Sequence, residues 1–122
     1  MRIGFTNGVF DGCHEGHRYF LTMAGELCDY LIVAVNDDAS VKVLKGLDRP
    51  AWTLKRRMKG VEPFCDAVIP FATNPYDLLK AIQPDVLIRG WDQNEEGKMY
   101  AGKLERIERI GEYSTTLLSQ AK

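Results

Sequence analysis

Short apolar stretches alternate with amphipathic ones along this chain. Four stretches rich in β-branched residues are short enough for buried strands: residues 2–6, 31–35, 67–71 and 86–88. Between them lie three segments with apolar residues at helical spacing: residues 17–27, 54–61 and 76–82. The alternation of strand and helix predicts right-handed crossovers, and therefore an α/β fold in which a parallel sheet is covered by helices on both faces.

Ligands in such a fold bind beyond the carboxyl ends of the strands. The first strand runs into residues 6–17, a segment that contains Gly8, Gly12 and Gly16 and leads into the first predicted helix. A glycine-bearing turn leaves backbone N–H groups free to face an anion, and the helix N-terminus adds positive potential. The pattern predicts a phosphate-binding loop here. The longest polar loop, residues 91–98, follows the fourth strand and is a second candidate for binding.

Composition narrows the class of protein. The 122 residues fit one domain with one core. With 16 Lys and Arg against 17 Asp and Glu, no large field of one sign would attract nucleic acid or an anionic membrane. No secretory signal or run of about 20 apolar residues is apparent, so we expect a cytoplasmic protein without a membrane partner. The three widely spaced cysteines are expected to be free thiols.

His14 and His17 flank Gly16 at the start of the first predicted helix, so both imidazoles can point to one bound group. Either histidine alone is more commonly a cap or a surface residue. Metal binding by the pair lacks the further ligands that complete a zinc site. A thiol nucleophile at Cys13 would need a pairing with His14 that adjacent residues on a tight turn rarely make. The joint occurrence of these residues in one turn favours phosphate binding.

The same segment carries a family resemblance. Its motif, Gly8-x-Phe10-Asp11-x-x-His14-x-Gly16-His17, resembles the signature of the cytidylyltransferase-like nucleotidyltransferases. The resemblance covers residues 2–116 and is strongest toward the nucleotidyltransferase domains of bifunctional ADP-heptose synthases, then toward glycerol-3-phosphate cytidylyltransferases. It implies a Rossmann-like three-layer α/β/α fold with a small parallel sheet. It also implies transfer of AMP or CMP from ATP or CTP to a sugar or polyol phosphate, with release of pyrophosphate.

The resemblance further implies which residues form the site. His14, His17 and Lys45 would be catalytic. The nucleotide-binding residues would be Thr6, Asn7, Gly8, Val9, Phe10, Asp11, Gly16, Lys42, Arg89, Gly90, Asp92, Ser114, Thr115 and Thr116. Taken alone, either lysine is more commonly a solvated surface charge, and the Ser-Thr-Thr run is equally well explained as a helix N-cap. We expect Mg²⁺ to arrive with the triphosphate, and we expect a homodimer.

The chain departs from these relatives near residue 110. Relatives carry a strand before the Ser-Thr-Thr segment, whereas here residues 110–113 lead almost directly into Ser114. We therefore expect the last strand to be missing or shortened. The alternative function is a nucleotide-binding regulatory or assembly module that has lost turnover. The joint presence of His14, His17 and Lys45 favours an enzyme, since binding alone does not need all three.

Overall fold

The computed structural model describes residues 1–46, 48, 50–90, 93–95 and 97–108. Its strands are β1 (Ile3–Gly8), β2 (Tyr30–Asn36), β3 (Ala67–Phe71), β4 (Val86–Gly90) and β5 (Lys103–Ile107). Its helices are α1 (Glu15–Gly25), α2 (Asp38–Lys45), α3 (Leu54–Val61) and α4 (Tyr76–Ile82), with 3₁₀ turns at Glu62–Phe64 and Lys98–Tyr100.

The five strands form one parallel sheet in the order β3-β2-β1-β4-β5. The chain builds outward from β1 through β2 to β3, then returns to the other side of β1 with β4 and β5. The direction of winding therefore reverses between β1 and β4. In open α/β sheets the crevice at such a switch point is where ligands bind, at the carboxyl ends of the strands.

Two apolar cores lie on opposite faces of the sheet. One joins α1 and α3 to alternate residues of β2, with Leu21, Val33 and Val61 fully buried. The other joins α4 to β1 and β4 through Leu79, Phe5 and Leu87. Because both faces are covered, β2 and the first three residues of β4 form nearly continuous apolar runs. The predicted three-layer α/β fold is confirmed.

Every predicted strand and helix is present, and three of them, α3, β3 and α4, have the predicted bounds. Two elements were missed, α2 and β5. Strand β5 pairs with β4 from Val86↔Lys103 to Gly90↔Ile107, and residues 110–113, where we expected the last strand to be missing or shortened, lie outside the described residues. The sequence did not predict β5 because it is a charged edge strand in which only Ile107 is buried, so it lacks the apolar run of the inner strands.

The predicted free thiols are confirmed for Cys13, Cys28 and Cys65. Burial raises the pKa of each thiol, that of Cys65 to about 11. A raised pKa keeps these groups protonated and unreactive near neutral pH. Within the described ranges, no helix is both long enough and apolar enough to span a bilayer.

Candidate active site

The loop between β1 and α1 has an unusual backbone. Phe10, Gly12 and Cys13 have φ angles of 53°, 81° and 38°. Side-chain-bearing residues in this region persist only where neighbouring structure holds them, and such strain clusters at functional sites. Phe10 is held by packing, since its ring lies 3.0 Å from the position that a Cβ on Gly8 would take. Cys13 is held by its thiol, which donates to the Gly60 carbonyl at 3.3 Å.

His14 caps the N-terminus of α1. Its Nδ1 accepts a hydrogen bond from the Gly16 N–H at 3.1 Å. A neutral imidazole that accepts at Nδ1 carries its proton on Nε2, so this cap makes His14 Nε2–H a donor. The side chain is exposed and stands at the positive end of the α1 dipole, where anions are favoured.

His17 lies between two rings. It stacks on His14 with centroids 3.8 Å apart and meets the Phe10 ring edge-on at 5.5 Å. Burial, and secondly the charge of His14, lower the pKa of His17 to about 4, and Asp11 offsets this only in part. His17 is therefore neutral at pH 7. Its Nδ1 is buried and has no hydrogen-bond partner among the described residues.

Arg57, which the sequence analysis did not predict as a site residue, is fully buried at the carboxyl edge of the sheet and joins several segments there. Arg57 donates through Nη1 to the carbonyls of Val9 (2.9 Å) and Asn36 (2.7 Å), and through Nε to that of Trp52 (3.0 Å). Its Nη2 pairs with the Asp38 carboxylate at 2.6 Å. We call the loop between β1 and α1, residues 9–14, the histidine loop. The Arg57 guanidinium thus fixes the end of β2, the start of α2 and the histidine loop relative to one another.

Asp11 makes the second link between the histidine loop and α3. Its two carboxylate oxygens accept from the backbone N–H groups of Ala51 and Trp52 at 2.8 and 2.9 Å. The contact of Asp38 with Arg57 holds the first residue of α2, and the contacts of Asp11 with residues 51 and 52 hold the chain just before α3. Both contacts fix these segments beside the histidine loop.

Lys42 and Lys45 lie in the last turn of α2. Both side chains are exposed, and neither forms a hydrogen bond or ion pair with the part of the chain that the structure describes. Arg57 links the start of α2 to the histidine loop. Among the described residues, neither lysine is in direct contact with His14 or His17.

On the far side of the switch point, β4 supplies Arg89, which is 5% exposed. Its Nη1 donates to Asn7 Oδ1 at 2.7 Å, which joins the ends of β1 and β4. Burial, and secondly the charge of Arg106, lower the pKa of Arg89. Thr6 is fully buried and donates to the Ile88 carbonyl at 2.7 Å. The structure thus gives Thr6 a role in joining strands, and any effect of Thr6 on a nucleotide would be indirect.

The predicted site residues therefore divide into three groups. Residues 6–11, His14, Gly16 and His17 converge on the loop after β1, and Arg89 and Gly90 reach the same edge from β4. Lys42 and Lys45 stand on α2. Asp92, Ser114, Thr115 and Thr116 lie outside the described residues. Arg57 could have been found from the sequence, because it shares the buried face of α3 with Val61, where a charged residue must have partners.

A parallel sheet with a strained glycine-containing loop and two histidines at its switch point defines a nucleotide-binding α/β protein. The chain belongs to the cytidylyltransferase-like family, whose profile matches residues 5–116. It is 46% identical over 122 residues to the bifunctional protein HldE of Helicobacter hepaticus, covering 94% of this chain and 25% of that protein. It is 40% identical over 127 residues to HldE of Pseudomonas aeruginosa, covering 96% of this chain and 27% of the relative.

The chain thus spans about a quarter of the length of these relatives. Among solved structures, it resembles a lipopolysaccharide core biosynthesis protein from Thermoplasma volcanium, with a TM-score of 0.70, 24% identity and coverage of 89% and 98% of the two chains. A protein of unknown function from Archaeoglobus fulgidus matches with a TM-score of 0.68 and 17% identity, covering 88% of each chain. At these identities the structures support the fold alone. The family match confirms the resemblance to the cytidylyltransferase-like family that the motif in residues 8–17 indicated.

Proposed function

We propose that this protein transfers AMP or CMP from ATP or CTP to the phosphate of a sugar or polyol, with release of pyrophosphate. The observation that carries the proposal is the stacked pair of His14 and His17 at the N-terminus of α1, on the switch-point loop of a cytidylyltransferase-like fold. The choice of a sugar or polyol phosphate as acceptor follows the resemblance of the motif-bearing segment to the two families named above.

The reaction needs no nucleophilic side chain. An acceptor phosphate oxygen, already anionic, attacks the α-phosphorus in line; the new P–O bond forms as the bond to the bridging β-phosphate oxygen breaks, and pyrophosphate carries away the electron pair. The protein's task is to position the two phosphates and to stabilise charge on the equatorial oxygens. His14 Nε2–H and the N–H groups at the start of α1 are donors suited to that task.

The neutral state of His17 fits the same task. A neutral imidazole can donate one hydrogen bond to a phosphate oxygen, and an anion beside it would stabilise the protonated form and raise its pKa. The exposed ammonium groups of Lys42 and Lys45 would bring positive charge from α2 toward the nucleotide and the acceptor phosphate. Lysine suits a position that must follow a moving phosphate, because its charge sits on a flexible stem.

Mg²⁺ enters this proposal as part of the substrate. The described residues contain no group of three or more His, Cys, Asp or Glu side chains placed to hold a metal ion. Mg²⁺ commonly keeps several waters and binds through substrate phosphates, so we propose that the ion arrives on the triphosphate.

We also propose that the protein forms a homodimer. Measurement of its mass in solution by light scattering would test this.

The decisive experiment is a substrate panel. The purified protein would be incubated with Mg²⁺, each of ATP, CTP, GTP and UTP, and either heptose 1-phosphate or glycerol 3-phosphate, with acceptor-free reactions as blanks. We expect pyrophosphate to appear in step with a nucleotide-linked product for one triphosphate and one acceptor class. If triphosphates bind but every pair stays at the blank level, the alternative of a binding module without turnover takes precedence.

A further inference from the structure

The segment that follows β4 is held by a side chain from the neighbouring strand. Arg106, on β5, donates through Nη1 to the carbonyl oxygens of Gly90 and Gln93 at 2.9 and 2.7 Å. Its Nη2 lies 3.4 Å from Glu95 Oε2. We call Gly90, Gln93 and Glu95 the post-β4 turn. A single guanidinium therefore contacts all three residues of this turn.

The turn also has bonds of its own, which join Gly90 to Gln93 and Glu95 to Lys98. The Gln93 N–H donates to the Gly90 carbonyl at 3.2 Å, and the Gly90 N–H donates to Gln93 Oε1 at 2.6 Å. Glu95 Oε1 pairs with Lys98 Nζ at 2.7 Å. The Gly90 carbonyl thus accepts from both Gln93 and Arg106. Loss of Arg106 would leave the two carbonyls without their charged donor and would loosen the turn.

The position of the turn makes its shape relevant to ligand binding. It follows β4, which lies beside β1, and the contact of Arg89 with Asn7 joins the ends of these two strands. Arg106 is the register partner of Arg89 across β4 and β5. The turn therefore lies at the carboxyl end of β4, at the same edge of the sheet as the switch-point crevice and the N-terminus of α1, which suits phosphate. A nucleotide with its phosphates at α1 would extend its nucleoside toward the turn.

We propose that Arg106 is a positioning residue that sets the shape of the post-β4 turn against the nucleoside, and thereby sets nucleotide affinity and the preference between ATP and CTP. This inference rests on the proposed function, because it takes a nucleotide as the ligand. Arginine suits the role since its planar fork can reach two carbonyls and a carboxylate at once, which a lysine ammonium cannot do with the same geometry.

The test compares three ligands that share a triphosphate group: two differ in the nucleoside and the third has none. Titration calorimetry with Mg²⁺ would measure the Kd of ATP, of CTP and of inorganic tripolyphosphate for the wild type, Arg106→Met and Arg106→Lys. Lys103→Met is the matched control. It also removes one positive charge from β5, together with an exposed pair with Glu105 at 3.0 Å, but leaves the turn intact.

We expect Arg106→Met to weaken binding of the preferred nucleotide by about threefold to tenfold, the range for partly exposed hydrogen bonds to a charged group. The ATP-to-CTP ratio should change, and the Kd of tripolyphosphate should stay within about twofold. Arg106→Lys should keep the charge and recover only part of the affinity, whereas Lys103→Met should match the wild type.

Two results would overturn the inference while leaving the proposed function intact: nucleotide affinity unchanged in Arg106→Met, or an equal loss for nucleotide and tripolyphosphate, which would indicate a general charge effect. If Arg106→Met were poorly folded, Arg106→Lys would decide by the ATP-to-CTP ratio alone, and an unchanged ratio would count against the inference. A wild type that binds no triphosphate would overturn both the inference and the proposed function.

Discussion

His17 is the side chain on which most features of the site converge. Phe10 and His14 fix the plane of its ring, and its pKa of about 4 keeps it neutral at pH 7. We expect His17→Ala to lower kcat by about a hundredfold to a thousandfold, because one donor to the transition state is worth roughly 3 to 4 kcal/mol. Steady-state kinetics measure the loss, and circular dichroism checks that the fold is kept. A kcat within twofold of the wild type would remove His17 from the mechanism.

The same residue should make stability depend on pH. The pKa of His17 is about 4 in the folded protein, against an ordinary value of 6.5 in the unfolded chain. Between these values the unfolded state binds the proton more tightly, so the stability that a neutral His17 provides is complete above pH 6.5 and is lost as pH falls toward 4. We expect the Tm of the wild type to fall more than that of His17→Gln between pH 7 and 4. Parallel declines in the two proteins would contradict this assignment.

Lys45 tests whether an exposed cation on α2 acts in the reaction. We expect Lys45→Ala to lower kcat/KM by at least a hundredfold, and Lys45→Arg to restore little, because guanidinium differs from ammonium in shape and reach. Lys80→Ala is a matched control, since Lys80 is also an exposed lysine in the last turn of a short helix. Equal kinetics in Lys45→Ala and Lys80→Ala would show that Lys45 is an ordinary surface charge.

Among the elements, α2 depends most clearly on one buried side chain. Arg57→Met would remove the donors to three carbonyls and the partner of Asp38. We expect the free energy of unfolding to fall by about 2 to 4 kcal/mol, the scale for leaving buried carbonyls without a charged donor, while Asp38, whose side chain is 43% exposed, is rehydrated. Asp38→Asn keeps an acceptor for Nη2 and should cost about 1 kcal/mol. Urea denaturation measures both, and a loss below 1 kcal/mol in Arg57→Met would mean that α2 is held by other contacts.

The elements also show which parts of the fold the sequence can predict. Residues 67–71 and 76–82 were predicted with the observed bounds, because a Pro-containing break separates a β-branched run from a helical stripe. Helix α2 was missed because it lies on the surface: only Ser40 and Val41 are buried, while Val43 and Leu44 are largely exposed. An element that packs little of its surface leaves little hydrophobic periodicity to detect.

The candidate site could likewise be predicted only where its residues lie close together in sequence. The phosphate-binding loop could be predicted because its glycines, histidines and helix start are adjacent in sequence. The roles of Arg57 and Arg106 could not, because their partners are set by tertiary structure. Val9 lies 48 residues from Arg57, and Arg106 reaches back 16 residues to Gly90. A local sequence pattern does not indicate which backbone carbonyl a distant guanidinium will contact.

At the scale of the whole molecule, nucleotide binding should need both ends of the chain. The donors that we propose for the α-phosphate lie at the start of α1, whereas the hydroxyls that the family resemblance assigns to the β- and γ-phosphates, Ser114 and Thr115, lie outside the described residues. We expect the double change of Ser114 and Thr115 to Ala to weaken triphosphate binding by at least tenfold, since each hydroxyl bond to a charged group is worth about 1.5 to 3 kcal/mol.

Binding of the matching nucleoside monophosphate, which lacks those phosphates, should barely change in the double variant. Calorimetric titration of both ligands against both proteins separates the possibilities. An equal loss for monophosphate and triphosphate would indicate a folding defect, and no loss for either would show that these hydroxyls do not contact the nucleotide. A loss confined to the triphosphate would mean that residues 100 positions apart in sequence, His14 and Ser114, hold successive phosphates of one ligand.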